Sequence, residues 1–69
     1  MDTKAAQSIP SRRIIRLPEV VHKTGLSRST LYRWIAQGRF PAQIAISGRM
    51  AGWDSLAVDQ WIEEQLNAL

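Results

Sequence analysis

Residues 17–38, LPEVVHKTGLSRSTLYRWIAQG, constrain the fold more than any other stretch of this chain. Pro18 marks a helix start, because the first helical position needs no N–H partner. Gly25 marks its end, since glycine takes the left-handed C-terminal conformation without steric cost. Ser27 follows almost at once and suits the N-cap of a second helix over 28–37, which Gly38 ends in the same way. Leu17, Val20, Val21 and Thr24 make one face of the first helix, and Leu31, Trp34 and Ile35 make one stripe of the second. Two short amphipathic helices joined by a glycine turn form a helix-turn-helix unit.

The flanking segments complete the architecture. Residues 1–12 are polar, contain a proline and lack a period, so a flexible arm is expected there. Arg13-Ile14-Ile15-Arg16 reads as a brief extended segment leading into the first helix. After Arg39-Phe40-Pro41, the alternation of Ile44 and Ile46, the turn Ser47-Gly48-Arg49 and the run Met50 to Trp53 predict a β-hairpin. Asp54 is placed to cap a last helix from 55 to about 67. Val58, Trp61, Ile62, Gln65 and Leu66 fall on one face of that helix, and Asp59, Gln60, Glu63, Glu64 and Asn67 on the other. A hairpin directly after a helix-turn-helix is a wing. The expected fold is therefore mainly α with a small β-hairpin, a winged helix-turn-helix over residues 13–69.

Sixty-nine residues allow one small domain. The absence of cysteine excludes disulfides and thiolate metal sites. No apolar run approaches the roughly 20 residues of a membrane-spanning helix, so no membrane partner is expected. The first residues lack the apolar core of a secretion signal. Charge is more informative. Residues 1–53 carry all nine Lys and Arg against Asp2 and Glu19, a balance of +7, whereas residues 54–69 carry Asp54, Asp59, Glu63 and Glu64 and no base, a balance of −4. A basic body with an acidic last helix suggests a polyanion-binding face and a separate face turned away from it.

The second helix carries the sharpest chemistry. Direct readout of duplex DNA requires a helix that enters the major groove by its N-terminal end and presents donors and acceptors to base edges. Arg28, Ser29, Thr30, Tyr32 and Arg33 fall outside the core stripe. Ser29 and Thr30 suit a phosphate or a base, Arg33 suits a bidentate contact with guanine, and Arg28 and Tyr32 sit where the duplex backbone would pass. A solvated basic face on an ordinary amphipathic helix is the plainer reading, and the glycine turn before and the hairpin after weigh against it. Arg49 at the hairpin tip suits the minor groove or a phosphate; its plainer role is an ion pair with nearby Asp54. Arg12, Arg13, Arg16, Lys23 and Arg39 are candidate phosphate contacts.

Other chemistries fare poorly. His22 is the single histidine, without cysteine or a carboxylate cluster beside it, so a metal site is not expected. Tyr32 as a strand-transfer nucleophile would need a catalytic constellation and a larger body. There is no glycine-rich phosphate loop. Trp34, Trp53 and Trp61 could stack on single-stranded bases, but two lie on core stripes and the third ends a strand, which makes them core. No enzymatic activity and no cofactor are expected.

The stretches RIIRLPEVVHKTGLSRSTLYRWIAQGRFP, SGRMAGW and VDQWI together resemble the AlpA-type prophage regulatory proteins, over about residues 13–64. The resemblance implies a winged helix-turn-helix of the MerR and excisionase type. It also implies a bacterial, cytoplasmic, nucleoid-associated regulator of a prophage or integrative element. On that resemblance the recognition-helix role falls on Arg28, Ser29, Thr30, Tyr32 and Arg33, and the wing role on Arg49. Its partner would be double-stranded DNA, joined by a second copy on adjacent sites, a recombinase or RNA polymerase. An excisionase-like recombination directionality factor needs the same surface. A protein-interaction adaptor working through the acidic last helix is the alternative of a different class. One departure stands out: relatives often carry lysines before the wing, whereas Pro41-Ala42-Gln43-Ile44-Ala45 has none, which favours multi-site or partner-assisted binding.

Overall fold

A computed structural model describes residues 12–69. The elements run β1 (Ile14–Ile15), α1 (Leu17–Thr24), α2 (Arg28–Ala36), β2 (Ile44–Ser47), β3 (Met50–Asp54) and α3 (Ser55–Asn67). This is the mainly α, winged helix-turn-helix arrangement. Residues 1–11 of the expected arm lie outside the described residues; Arg12, the last of that arm, is tied to Asp54 by an ion pair of 2.8 Å.

Each helix stops for a local reason. Gly25 adopts φ 73° and donates its N–H to the Val21 carbonyl, a left-handed cap that ends α1. The turn is locked from a second side, because the Thr24 hydroxyl donates to the Val20 carbonyl at 2.8 Å and accepts from the Leu26 N–H at 3.2 Å. Thr24 therefore joins the inner face through its polar atom. At the end of α2 the N–H of Gly38 reaches the Ile35 carbonyl and that of Arg39 the Trp34 carbonyl. This is the Schellman pairing, and Gly38 supplies its left-handed residue at φ 72°. The helix is one residue shorter than its sequence suggests, with Gln37 as its C-cap.

The sheet has one strand more than the expected hairpin. β1 pairs antiparallel with β3, Ile14 opposite Asp54 and Ile15 opposite Trp53, and the strand order is β1-β3-β2. The extended segment before α1 is thus the third strand of the sheet. Ser55 fastens it: the Arg13 N–H donates to Ser55 Oγ at 2.7 Å, and the Ser55 N–H donates to the Arg13 carbonyl at 2.8 Å. In the wing, Ser47 faces Met50 across Gly48-Arg49, with a bulge between Ala45 and Ser47. Gly48 has φ 51° and Arg49 has no positive φ, the pattern of a glycine-first two-residue hairpin turn.

Every element except β2 sends a side chain into the core: Ile15, Val20, Leu31, Trp53 and Val58, with Phe40 from the segment after α2. Trp53 is 2 % exposed, and its indole N–H is satisfied by the Pro41 carbonyl at 3.0 Å. Trp61 packs edge-on against Phe40 at 4.8 Å and donates to the Arg39 carbonyl at 2.8 Å. The inner stripe of α3 stops at Ile62. Gln65 and Leu66, expected on that face, are exposed, Leu66 by 63 %, because the last turn of α3 has no element to pack on. Among the described residues, no helix is long and apolar enough to cross a membrane.

Candidate nucleic-acid interface

Ser27 organises the start of α2. Its Oγ accepts the Thr30 N–H at 3.2 Å and donates to Thr30 Oγ1 at 2.9 Å, with Ser29 Oγ 3.4 Å away. A hydroxyl has one proton, so Thr30 Oγ1, having accepted from Ser27, keeps its own proton for an outside acceptor. Three hydroxyls thus cluster at the positive end of a helix. Behind them Leu31 is fully buried, which fixes the rotation of α2 and turns Arg28, Ser29, Tyr32 and Arg33 to solvent. Thr30 is half-buried beside its cap.

The wing and the start of α1 flank this face. Arg16, Leu17, Pro18, Tyr32, Arg49, Ala51 and Trp53 line one open groove. Arg16 and Arg49, far apart in sequence, therefore share one groove with Tyr32, which is 44 % exposed. No spacing rule connects them. The β1–β3 pairing, which brings the residue after Ile15 alongside β3, creates the groove.

The remaining bases divide by partner. Arg12 holds Asp54, Arg13 holds Glu19, and Lys23 holds Asp59 at 2.7 Å. Asp54 thus pairs with Arg12 and not with Arg49. The Arg12 guanidinium, with help from the Leu56 N–H, holds the Asp54 carboxyl below its ordinary value although partial desolvation opposes this. The same pairing raises the Arg12 pKa, and hydrogen bonding to Glu19 raises that of Arg13. Arg39 lies 4.4 Å over the Trp34 ring, with a hydrogen bond of 3.2 Å to Gln37, and stands with Trp34 and Trp61 outside the groove. Among the described residues, Arg16, Arg28, Arg33, Arg39 and Arg49 have no carboxylate partner, and Arg39 is engaged instead by Trp34 and Gln37. The other four belong to α2 or to the groove beside it.

Residue patterns alone placed Arg28, Ser29, Thr30, Tyr32 and Arg33 outside the core stripe, and of these Thr30 is half-buried. They did not separate the arginines engaged within the fold from those left over, because that division depends on contacts across 42 residues in the Arg12–Asp54 pair. Among the described residues no group of three or more His, Cys, Asp or Glu could hold a metal ion.

A winged helix-turn-helix with an unpaired arginine surface along its second helix and wing defines the class. Residues 13–66 match the family described as Prophage CP4-57 regulatory protein (AlpA), and the chain belongs to that family. It is 43 % identical over 54 residues to the uncharacterised protein ORF88 of Enterobacteria phage P4, covering 78 % of this chain and 61 % of that protein. It is 32 % identical over 59 residues to the DNA-binding transcriptional activator AlpA of Escherichia coli K12, covering 77 % of this chain and 84 % of the relative. No solved structure matches the chain.

Proposed function

We propose that this chain binds duplex DNA sequence-specifically and regulates transcription for a prophage or integrative element, with α2 in the major groove and the wing against the minor groove or a phosphate. One observation carries the reading: among the described residues, four of the five arginines without a carboxylate partner gather on α2 and the adjoining groove, and the fifth, Arg39, is held over Trp34. Unpaired guanidiniums on one face repel one another, and a polyanion relieves that repulsion. The name of the E. coli relative, a DNA-binding transcriptional activator, supports the same reading.

The chemistry follows residue by residue. Arg33 lies four positions after Ser29, one turn on, and its planar fork matches the O6 and N7 acceptors of guanine. The Thr30 hydroxyl proton and the Arg28 guanidinium suit phosphates at the groove edge. Arg16, Tyr32 and Arg49 would hold one phosphate path between α1 and the wing. Pro41 to Ala45 adds no base, so phosphate affinity rests on these few arginines.

Selection of bound duplexes from a random pool tests the proposal, followed by titration of the winning duplex and a scrambled one at the same salt. Specific recognition predicts a preference of at least about 10³-fold. Equal binding of both duplexes, or of neither, contradicts it. A footprint on the host element then separates a promoter site from a phased array at an attachment site, the mark of an excision factor.

A further inference from the structure

The sheet has two faces, and only one is used by the core. Ile15 and Trp53, paired across β1 and β3, point inward, so the alternate positions Ile14, Gly52 and Ile44 point outward. On this outer face Ile14, Ile44, Ile46 and Met50 are 56, 46, 36 and 45 % exposed, and among the described residues no element packs on them. Gly52 makes them continuous. A Cβ there would meet Ile14 Cγ2 at 2.7 Å and Ile46 Cδ1 at 3.0 Å, so the missing side chain lets the isoleucines of both outer strands close over β3. Gly52 is absent from the glycines with positive φ, and no turn requires it. The fold itself gains little from so many β-branched side chains in water, which mark an interaction surface.

Charge says what meets it. The border of the patch holds Arg12, Arg13 and Asp54, which line one pocket with Ile14 and Ile44; Asp54 neutralises Arg12 and Glu19 neutralises Arg13. The α2 and wing-tip surface, by contrast, carries the unpaired arginines. A second copy of this basic chain meets no net like charge when it approaches through the outer sheet face. In a self-apposed contact, Arg12 of one copy also lies within reach of Asp54 of the other. Position points the same way, because the patch is on the hairpin whose tip is Arg49. Four partly exposed side chains fall well short of the roughly 800 Å² per partner of a stable interface. Copies held on neighbouring DNA sites reach effective concentrations of about millimolar, where a small contact suffices.

We propose that the outer face of the sheet, formed by Ile14, Ile44, Ile46 and Met50, is the surface through which one copy of this chain engages a second copy on an adjacent DNA site. This rests on the duplex-binding reading above. The test uses the full chain, its Ile44→Ser/Ile46→Ser variant and a Met50→Ser variant. Each is titrated by fluorescence anisotropy onto the selected duplex with one site, and onto duplexes with two sites at a series of spacings around one helical turn, about 10 base pairs. The free chain sediments as a monomer, and at a favoured spacing the second copy binds at least about tenfold more tightly than the first. Both variants keep one-site affinity within about twofold while that cooperativity falls to near unity. Absence of cooperativity at every spacing, or full cooperativity in both variants, overturns the proposal. A wild type without cooperativity whose Tm falls by several degrees in the double variant has the patch covered by its own residues 1–11, which also overturns it. Failure of the wild type on the one-site duplex is a different result, since it removes the duplex-binding reading itself.

Discussion

Arg12, Arg13, Glu19 and Lys23, around β1 and along α1, each have an ion-pair partner, whereas among the described residues the arginines of α2 have none. Arg13 is exposed, yet Glu19 engages its guanidinium, and its backbone is bonded in both directions to Ser55. Arg12 is likewise engaged by Asp54. Arg16 and Arg49, unpaired in one groove, are free to release counterions from a duplex when they meet its phosphates. Arg49→Ala and Arg16→Ala are each expected to lower the magnitude of the log–log salt slope of binding by about 0.9 and to weaken all duplexes alike. Arg12→Ala should leave the slope near wild type. A slope that responds to Arg12 and ignores Arg49 would place the phosphate path on the wrong side of the wing.

At the scale of the element, α2 is held in register by its cap and its single buried leucine. Ser27→Ala removes the acceptor for the Thr30 N–H and is expected to cost about 1 kcal/mol in urea unfolding. Gly52→Ala meets Ile14 Cγ2 at 2.7 Å and the Ile15 carbonyl at 2.9 Å, so a cost of about 1–3 kcal/mol is expected, measured in the same way. Wild-type stability in that variant would show that the isoleucines do not close over β3. The helices were legible in the sequence because Pro18, Gly25, Ser27, Gly38 and Asp54 act through their nearest neighbours. The extended course of residues 13–16 was legible as well, but its place in the sheet was not: two residues carry no period, and β3 and Ser55 bind them from far along the chain. Phe40 escaped notice for a related reason. It stands outside every helical stripe, and only the aromatic packing of Trp61 and Trp34 shows why it is buried. The stripe of α3 was overextended to Leu66 because helical period reports which residues share a face, not whether another element covers it.

The whole molecule separates charge as it folds. Among the described residues, three ion pairs engage acids and bases around α1 and the N-terminal half of α3, leaving arginines on the α2 and wing side and Glu63 and Glu64 exposed on α3. The Asp54 pair links that arrangement to pH. Its folded pKa is depressed, so its stabilising contribution is complete above the ordinary value of 3.8 and is lost as pH falls through the lower folded value. Thermal unfolding should therefore show a Tm that declines in that acid range, less steeply in Asp54→Asn, which keeps a capping oxygen but has no carboxylate to protonate. The core is small enough that one residue decides its persistence: Leu31→Ala empties the contact behind α2 and is expected to cost about 2–5 kcal/mol, a large share of a small domain's stability in calorimetry. On the proposed reading this framework holds α2 to read a groove, with Arg33 as the side chain on which the reading turns. The most direct measurement is the ratio of affinities for the selected and a base-substituted duplex, in wild type and in Arg33→Ala, at one salt concentration. Groove reading predicts that the substitution lowers this ratio by about 1–3 kcal/mol while binding to the scrambled duplex changes far less. An unchanged ratio would mean that α2 does not read the bases.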